Sequence, residues 1–234
     1  MSVINFEALC PEAIILDLKY PQGYLYWDKC GKIIKEITNN WKNIGKATIS
    51  IQNVNITFPE KSINLNFSSE SINIVLVNSK DVNFLGEFAD SVVNTICNHL
   101  EIDIFSRIGN RFQFIKPFES ADDFIKIFGA KGILQIPEDI ISIIGNKIEK
   151  QKIEFTIYKD EDFGYCFSFA QFKRKLEAYT PPQVSIDDSK FITKGILFDL
   201  DIFTIKPISL SILKCSELLK KNRKEYESLI KMLL

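Results

Sequence analysis

The sequence predicts an α+β protein of two similar lobes, each a mostly antiparallel sheet packed by long helices. Three observations lead to this prediction. Short stretches of alternating apolar and polar residues are joined by short polar links, as in antiparallel meanders. Longer stretches carry apolar residues at helical spacing. In each half the strands come first and a helix comes last, which predicts lobes at residues 1–148 and 149–234, or one compact domain.

The elements of the first lobe follow from hydrophobic period and turn residues. The first strand alternates between apolar and polar residues and is broken by Pro21 and Gly23. The strongest helix carries Leu85, Phe88 and Val92 on one stripe. In order, the pattern predicts a strand at 13–20, a helix around 33–41, strands at 48–58, 63–67 and 71–77, a helix at 84–100, a strand at 104–115, and short helices at 122–128 and 137–148.

The second lobe repeats this order of elements without repeating the sequence. An acidic turn separates its first two strands, and Pro181 and Pro182 mark a long loop. In order, the pattern predicts strands at 152–158 and 165–172, a loop at 179–189, a strand at 191–203, and an amphipathic helix or helix pair at 208–234.

Composition argues against a membrane protein, a disulfide-rich protein and a strongly basic nucleic-acid-binding protein. The 234 residues are 46% hydrophobic and 25% charged, with a formal net charge of −1. The near-zero charge gives no overall attraction to nucleic acids or anionic membranes. The five cysteines are scattered with no Cys-x-x-Cys pair, and no stretch approaches the roughly 20 apolar residues of a membrane span. We therefore expect a cytoplasmic protein with free thiols and no membrane partner.

Several segments resemble one protein family. They are the first strand at 13–20, the strand-to-helix passage at 71–100, the Arg-x-Gly-x-Arg-Phe strand at 107–112, and the Asp-x-Asp strand at 195–203 before a terminal helix. Together they resemble a sporadically distributed family of uncharacterised bacterial proteins of this length. The resemblance implies no activity. A scattered distribution is typical of mobile or antiviral-defence genes, so the resemblance implies such a setting.

Asp199 and Asp201 are the first candidates for chemistry. They lie two residues apart on a predicted strand, so their carboxylates share one face, about 7 Å apart. Such a pair can bind magnesium, or one carboxylate can act as acid and the other as base, as in a metal-dependent enzyme acting on a phosphate-containing substrate. The sequence favours a solvated or ion-paired strand face instead, because metal sites usually need more ligands than two carboxylates.

Arg107 and Arg111 are the second candidates. They flank Gly109 on one face of a predicted strand, and the missing side chain leaves a notch between two guanidinium groups. The notch suits a carboxylate or phosphate ligand. The alternative, which we favour, is that the two arginines pair with acidic residues inside the protein, and Asp199 and Asp201 are the natural partners.

An aromatic cluster follows Pro21. Tyr24, Tyr26 and Trp27 can anchor a protein partner or stack bases, or they can cap the open end of the core. Interfaces between proteins are enriched in Tyr and Trp. Capping the core is the commoner use of such a cluster, and among contacts with other molecules the cluster favours a protein over a nucleic acid.

Histidine and nucleotide chemistry have little support. His99 is the single histidine and lies near a helix end, where a cation suits the helix dipole. No Walker or dinucleotide fingerprint is present, and Asp162-Phe163-Gly164 lacks the other kinase motifs. We therefore expect no cofactor and no metal.

The leading hypothesis is a non-enzymatic protein-interaction module, acting as a homo-oligomer or an accessory subunit. The first alternative is the metal-dependent enzyme of Asp199 and Asp201. The second is a nucleic-acid-binding protein, which the presence of only four arginines weakens.

Overall fold

Nine strands pair into one antiparallel sheet in the computed structural model, which describes residues 8–43, 45–117, 152–175 and 192–233. The order across the sheet is β2-β3-β4-β5-β1-β7-β10-β9-β8, and β6 and β11 form a separate ribbon. The helices are α1 (Tyr26–Asn40), α2 (Val82–Leu100) and α3 (Cys215–Leu233). The strands are β1 (Cys10–Lys19), β2 (Lys46–Ile49), β3 (Asn53–Phe58), β4 (Ile63–Ser68), β5 (Ser71–Val77), β6 (Ile104–Phe105), β7 (Arg107–Pro117), β8 (Lys152–Tyr158), β9 (Phe163–Lys175), β10 (Ile192–Thr204) and β11 (Ile208–Ser209).

The α+β class and the mostly antiparallel sheet are confirmed, and both predicted halves contribute to it. β10, from the second predicted lobe, pairs with β7 from the first. The predicted boundary between residues 148 and 149 lies outside the described residues. So do the short helices predicted at 122–128 and 137–148 and the loop predicted at 179–189.

Two predicted strands are each divided in the structure. The strand predicted at 48–58 is interrupted by a turn in which the Ser50 hydroxyl accepts hydrogen bonds from the backbone N–H of Gln52 and Asn53, at 3.2 and 3.1 Å. Such a side-chain turn offers the backbone an alternative to the sheet ladder. The strand predicted at 104–115 breaks at Ser106, whose N–H is bonded to the carbonyl of Lys19 instead.

The three α-helices of the described residues pack on one face of the sheet. Ring contacts join each helix to a strand: Tyr26 to Phe67, Phe88 to Phe58, and Tyr226 to Phe112. Alternation along the strands places their apolar residues on this face and their polar residues on the opposite, open face. Within the described ranges, none of the helices has the length and hydropathy needed to span a membrane.

The N-terminus of α3 is capped by α2. Asp90 accepts hydrogen bonds from the backbone N–H of Cys215, at 2.6 Å, and of Ser216, at 3.3 Å. These N–H groups have no partner within their own helix, so a carboxylate there satisfies them and complements the dipole. The helices approach closely at Gly86, where an added Cβ would lie 2.6 Å from the Cα of Ser216. This contact fixes α3 over the sheet. The sequence predicted that the terminal helix begins at residue 208, but in the structure a short strand and a turn precede α3.

Candidate functional site

The four charged residues singled out in the sequence lie together on the open face of the sheet. β7 and β10 are neighbours, with Asp199 opposite Gln113 and Asp201 opposite Arg111. Residues paired in this way project to the same face. Each arginine binds an acid that is not directly opposite it on the neighbouring strand: Arg107 binds Asp201, and Arg111 binds Asp199. Asp17 on β1, opposite Gly109 of β7, joins this group, and we call Asp17, Arg107, Arg111, Asp199 and Asp201 the ion-pair ladder.

Asp199 is the most enclosed member of the ladder. Arg111 binds it in bidentate fashion, with Nε donating to Oδ1 at 2.7 Å and Nη2 donating to Oδ2. Gln113 donates to Oδ2 at 3.0 Å. The side chain of Asp199 is only 7% exposed. Both carboxylate oxygens therefore have donors, which a buried charge requires.

The second pair lies over Gly109. Arg107 donates to Asp201 at 2.5 Å and lies 3.5 Å from a carboxylate oxygen of Asp17. A Cβ on Gly109 would lie 2.9 Å from Nη1 of Arg107 and 3.0 Å from Oδ1 of Asp201. The notch expected at this glycine is therefore occupied by a guanidinium and a carboxylate of the protein itself.

Burial and charge act in opposite directions on Asp201. Burial raises the pKa of its carboxyl group by more than the neighbouring Arg107 lowers it. The hydrogen bonds to Asp199 raise the pKa of Arg111, so that guanidinium stays charged. In the part of the chain that the structure describes, no group of three or more His, Cys, Asp or Glu side chains is placed to hold a metal ion.

The aromatic cluster is split between surface and core. Tyr24 is 82% exposed and Trp27 is 56% exposed, whereas Tyr26 is 1% exposed and packs on Phe67. Tyr26 therefore contributes to the core and is not available at the surface. Tyr26 lies seven residues before Ile33 and eleven before Ile37, so all three lie on the buried side of α1. This helical periodicity distinguishes Tyr26 from the exposed Tyr24 and Trp27 in the sequence.

Tyr24 borders a groove at one end of the molecule. The groove has a volume of about 460 Å³ and is lined by residues 21–25 and 100–104. Leu25, Leu100 and Ile102 provide an apolar floor, and Glu101 and Asp103 provide negative charge. We call this the aromatic groove. It combines an apolar body with a polar edge, as surfaces that bind protein segments often do.

A second groove was not singled out from the sequence. Lys159, Lys220, Lys221 and Lys224 line a depression of about 710 Å³, together with Glu217, Glu225 and Ser228. We call it the basic groove. It could not be recognised from the sequence because Lys159, on the β8–β9 turn, is 58 or more positions away from the groove residues on α3. The only local signal is the run of basic residues at 220–224.

His99 and the Asp162-Phe163-Gly164 motif make contacts that support the fold. His99 lies in the last turn of α2, and its Nε2 is 2.8 Å from a carboxylate oxygen of Glu36 on α1. Asp162 lies in the turn between β8 and β9 and is 3.0 Å from Nζ of Lys206. Both contacts join neighbouring elements of the fold at its surface.

No protein-family model matches the chain, and no curated protein matches it significantly.

Proposed function

We propose that the chain is a non-enzymatic protein-interaction module that acts as a homo-oligomer or as an accessory subunit, with the aromatic groove as its contact surface. The observation that carries the proposal is the exposure of Tyr24, at 82%, on the edge of an apolar groove. Tyr and Trp bury a large area on contact while losing few rotamers, and they dominate the binding energy of many interfaces.

The surroundings of Tyr24 support a protein segment as the ligand. Apolar residues contribute to the lining of the groove, and one of them, Ile104, is 50% exposed. Glu101 and Asp103 at the edge favour a partner that carries positive charge next to an apolar anchor. Exposed apolar groups surrounded by polar ones are typical of binding surfaces.

The ion-pair ladder weighs against the metal-dependent enzyme. A magnesium ion would have to compete with a bidentate guanidinium for Asp199 and with Arg107 for Asp201. Magnesium also requires near-octahedral coordination by oxygen ligands. The two acids therefore support a structural role better than a catalytic one.

The five free cysteines support the cytoplasm as the compartment. Cys97 and Cys215 are buried, and burial raises the pKa of the Cys97 thiol to about 12. A thiol in that state is a poor nucleophile and fits a structural position in a reducing compartment. The family resemblance adds a mobile or defence-associated bacterial system as the setting.

We further propose that the molecule consists of two similar lobes, residues 1–148 and 149–234. In each lobe strands come first and a helix follows, α2 in the first and α3 in the second, and β7 of the first lobe pairs with β10 of the second. Fragments 1–148 and 149–234, expressed together, should then form a stable complex through β7 and β10. Fragments that fail to associate would contradict this division.

The interaction proposal is tested by the mass of the protein in solution. We expect the wild-type chain to self-associate, or to form a complex with the product of a neighbouring gene, and Tyr24→Ala to weaken that association at least about tenfold. The matched control is Tyr158→Ala, which removes another exposed tyrosine, 67% accessible, at the edge strand β8. A strictly monomeric wild type that binds no neighbouring gene product would overturn the proposal.

A further inference from the structure

The basic groove carries positive charge that the protein does not balance. Glu217 lies 3.0 Å from Lys214, outside the groove, and Glu225 lies 2.9 Å from Lys159. Each of the two acids in the groove therefore already has a cation. Among the described residues, Lys220, Lys221 and Lys224 form no ion pair within 4 Å, and only Lys221 acts electrostatically on an acid of the groove, Glu225, which Lys159 already binds.

The turn between β8 and β9 holds the wall of the groove in place. Lys159 donates to Glu225 at 2.9 Å and to the Tyr165 hydroxyl at 3.3 Å, and that hydroxyl donates to Glu225 at 2.6 Å. These hydrogen bonds raise the pKa of Lys159, which therefore stays charged at neutral pH. The Nζ of Lys221 lies 5.0 Å from the ring centroid of Phe163, the first residue of β9 after that turn. The groove is thus built from two elements joined by charged and aromatic contacts.

The spacing of the cations follows the axis of α3. Lys220 and Lys224 are one helical turn apart, about 6 Å along the axis. Like charges at this spacing repel each other and destabilise a helix. An anion bound between them would remove that cost. The remaining basic residue of the stretch, Arg223, is buried and donates to Glu227 at 2.6 Å, so it does not contribute to the groove.

Lysine content distinguishes a phosphate ligand from a protein ligand. Lysine is depleted in protein–protein interfaces, whereas it is a regular point-charge ligand of phosphate. Among the described residues that line the groove, none is an aromatic residue on which a base can stack, and none is an arginine that can read a guanine edge. The lysines of the groove are therefore suited to contact the phosphate groups of a nucleic-acid backbone.

We propose that the basic groove binds the phosphodiester backbone of nucleic acid through Lys220, Lys221 and Lys224, without reading sequence. The site is separate from the aromatic groove, so the proposal holds or fails independently of the interaction module. Because binding rests on three lysines, it should depend strongly on salt.

The test is the affinity for a fluorescein-labelled DNA duplex of about 12 base pairs, measured by anisotropy over a range of low salt concentrations. Three phosphate contacts predict a slope of about −2.7 in log K against log salt. The Lys220→Gln, Lys224→Gln double variant should reduce the slope to about −0.9. The Lys32→Gln, Lys35→Gln variant on α1 loses the same charge from exposed positions outside the groove and should keep the full slope.

Three results would overturn the proposal. One is the absence of duplex binding at the lowest salt concentration. Another is an equal loss of affinity in the α1 control, which would show attraction to general charge. The third is tighter binding of a fluorescein-labelled peptide of about ten glutamates, which would identify an acidic protein segment as the ligand. All substituted lysines are exposed, so unchanged circular-dichroism melting verifies that the variants fold.

Discussion

The ion-pair ladder and the basic groove both present cations at the surface of the molecule, but they differ in how those cations are balanced. In the ladder, Arg107 and Arg111 each have a carboxylate within hydrogen-bond distance, supplied by the neighbouring strand. In the groove, Lys220 and Lys224 have no ion pair in the described ranges. The charges of the ladder therefore join neighbouring strands, whereas the lysines of the groove are the ones that we propose to bind a ligand.

Substitution of one cation in each region should therefore have opposite consequences. Arg111→Met leaves Asp199, 7% exposed, without its bidentate partner, and should lower the free energy of unfolding by about 3 kcal/mol. Lys224→Met removes an exposed cation and should change the free energy of unfolding by a few tenths of a kcal/mol at most. Equilibrium urea unfolding of both variants measures the difference. Equal losses would remove the distinction between the two regions.

The close approach of α2 and α3 places the basic groove relative to the sheet. Gly86→Ala introduces a Cβ 2.6 Å from the Cα of Ser216, and should cost about 2 kcal/mol because backbone atoms must move apart. Gly31→Ala is the matched control on α1, where an added Cβ meets nothing within 4 Å. That change should raise stability by about 0.5–1 kcal/mol, because alanine is the better helix former. Thermal melting of both variants tests the prediction, and a neutral Gly86→Ala would contradict the packing described.

The wall of the basic groove should respond to pH. Burial alone would raise the pKa of Glu225, but hydrogen bonds from Lys159 and Tyr165 lower it below its ordinary value. The ionised form is thus favoured in the folded state. Its stabilising contribution is complete above the unfolded pKa of about 4.3 and is lost as the pH falls through the folded-state pKa.

The Tm difference between wild type and Glu225→Gln should therefore shrink as the pH is lowered through this range. Lys159→Met removes a main donor to Glu225 and should flatten the same pH dependence. A difference in Tm that stays constant with pH would show that the carboxylate of Glu225 has no such coupling.

Strand faces could be predicted from the sequence, but strand neighbours could not. Alternation alone places Arg107 with Arg111, and Asp199 with Asp201, on one face of their respective strands. The register that sets Asp201 opposite Arg111 depends on pairing between residues about 90 positions apart, which no local pattern encodes. The diagonal reach of each arginine, and the filling of the position over Gly109, follow from that register.

Local turn chemistry and tertiary packing account for the other differences. The break between β2 and β3 arises from the Ser50 hydroxyl, which competes with the sheet for backbone N–H groups. Tyr26 is buried because its position on α1 faces the sheet. In the sequence it is simply one of three neighbouring aromatic residues, so its burial was not predicted. The basic groove could not be predicted without the structure, because Lys159 contacts α3 only when the β8–β9 turn lies beside that helix.

The response of Tm to magnesium tests most directly whether the ladder is structural. We expect magnesium to leave the Tm of the wild-type protein unchanged, and Asp199→Asn to lower the Tm equally with and without the metal. A rise in the wild-type Tm with magnesium that disappears in Asp199→Asn would contradict the account, because it would show that the carboxylates bind a cation in preference to their arginines.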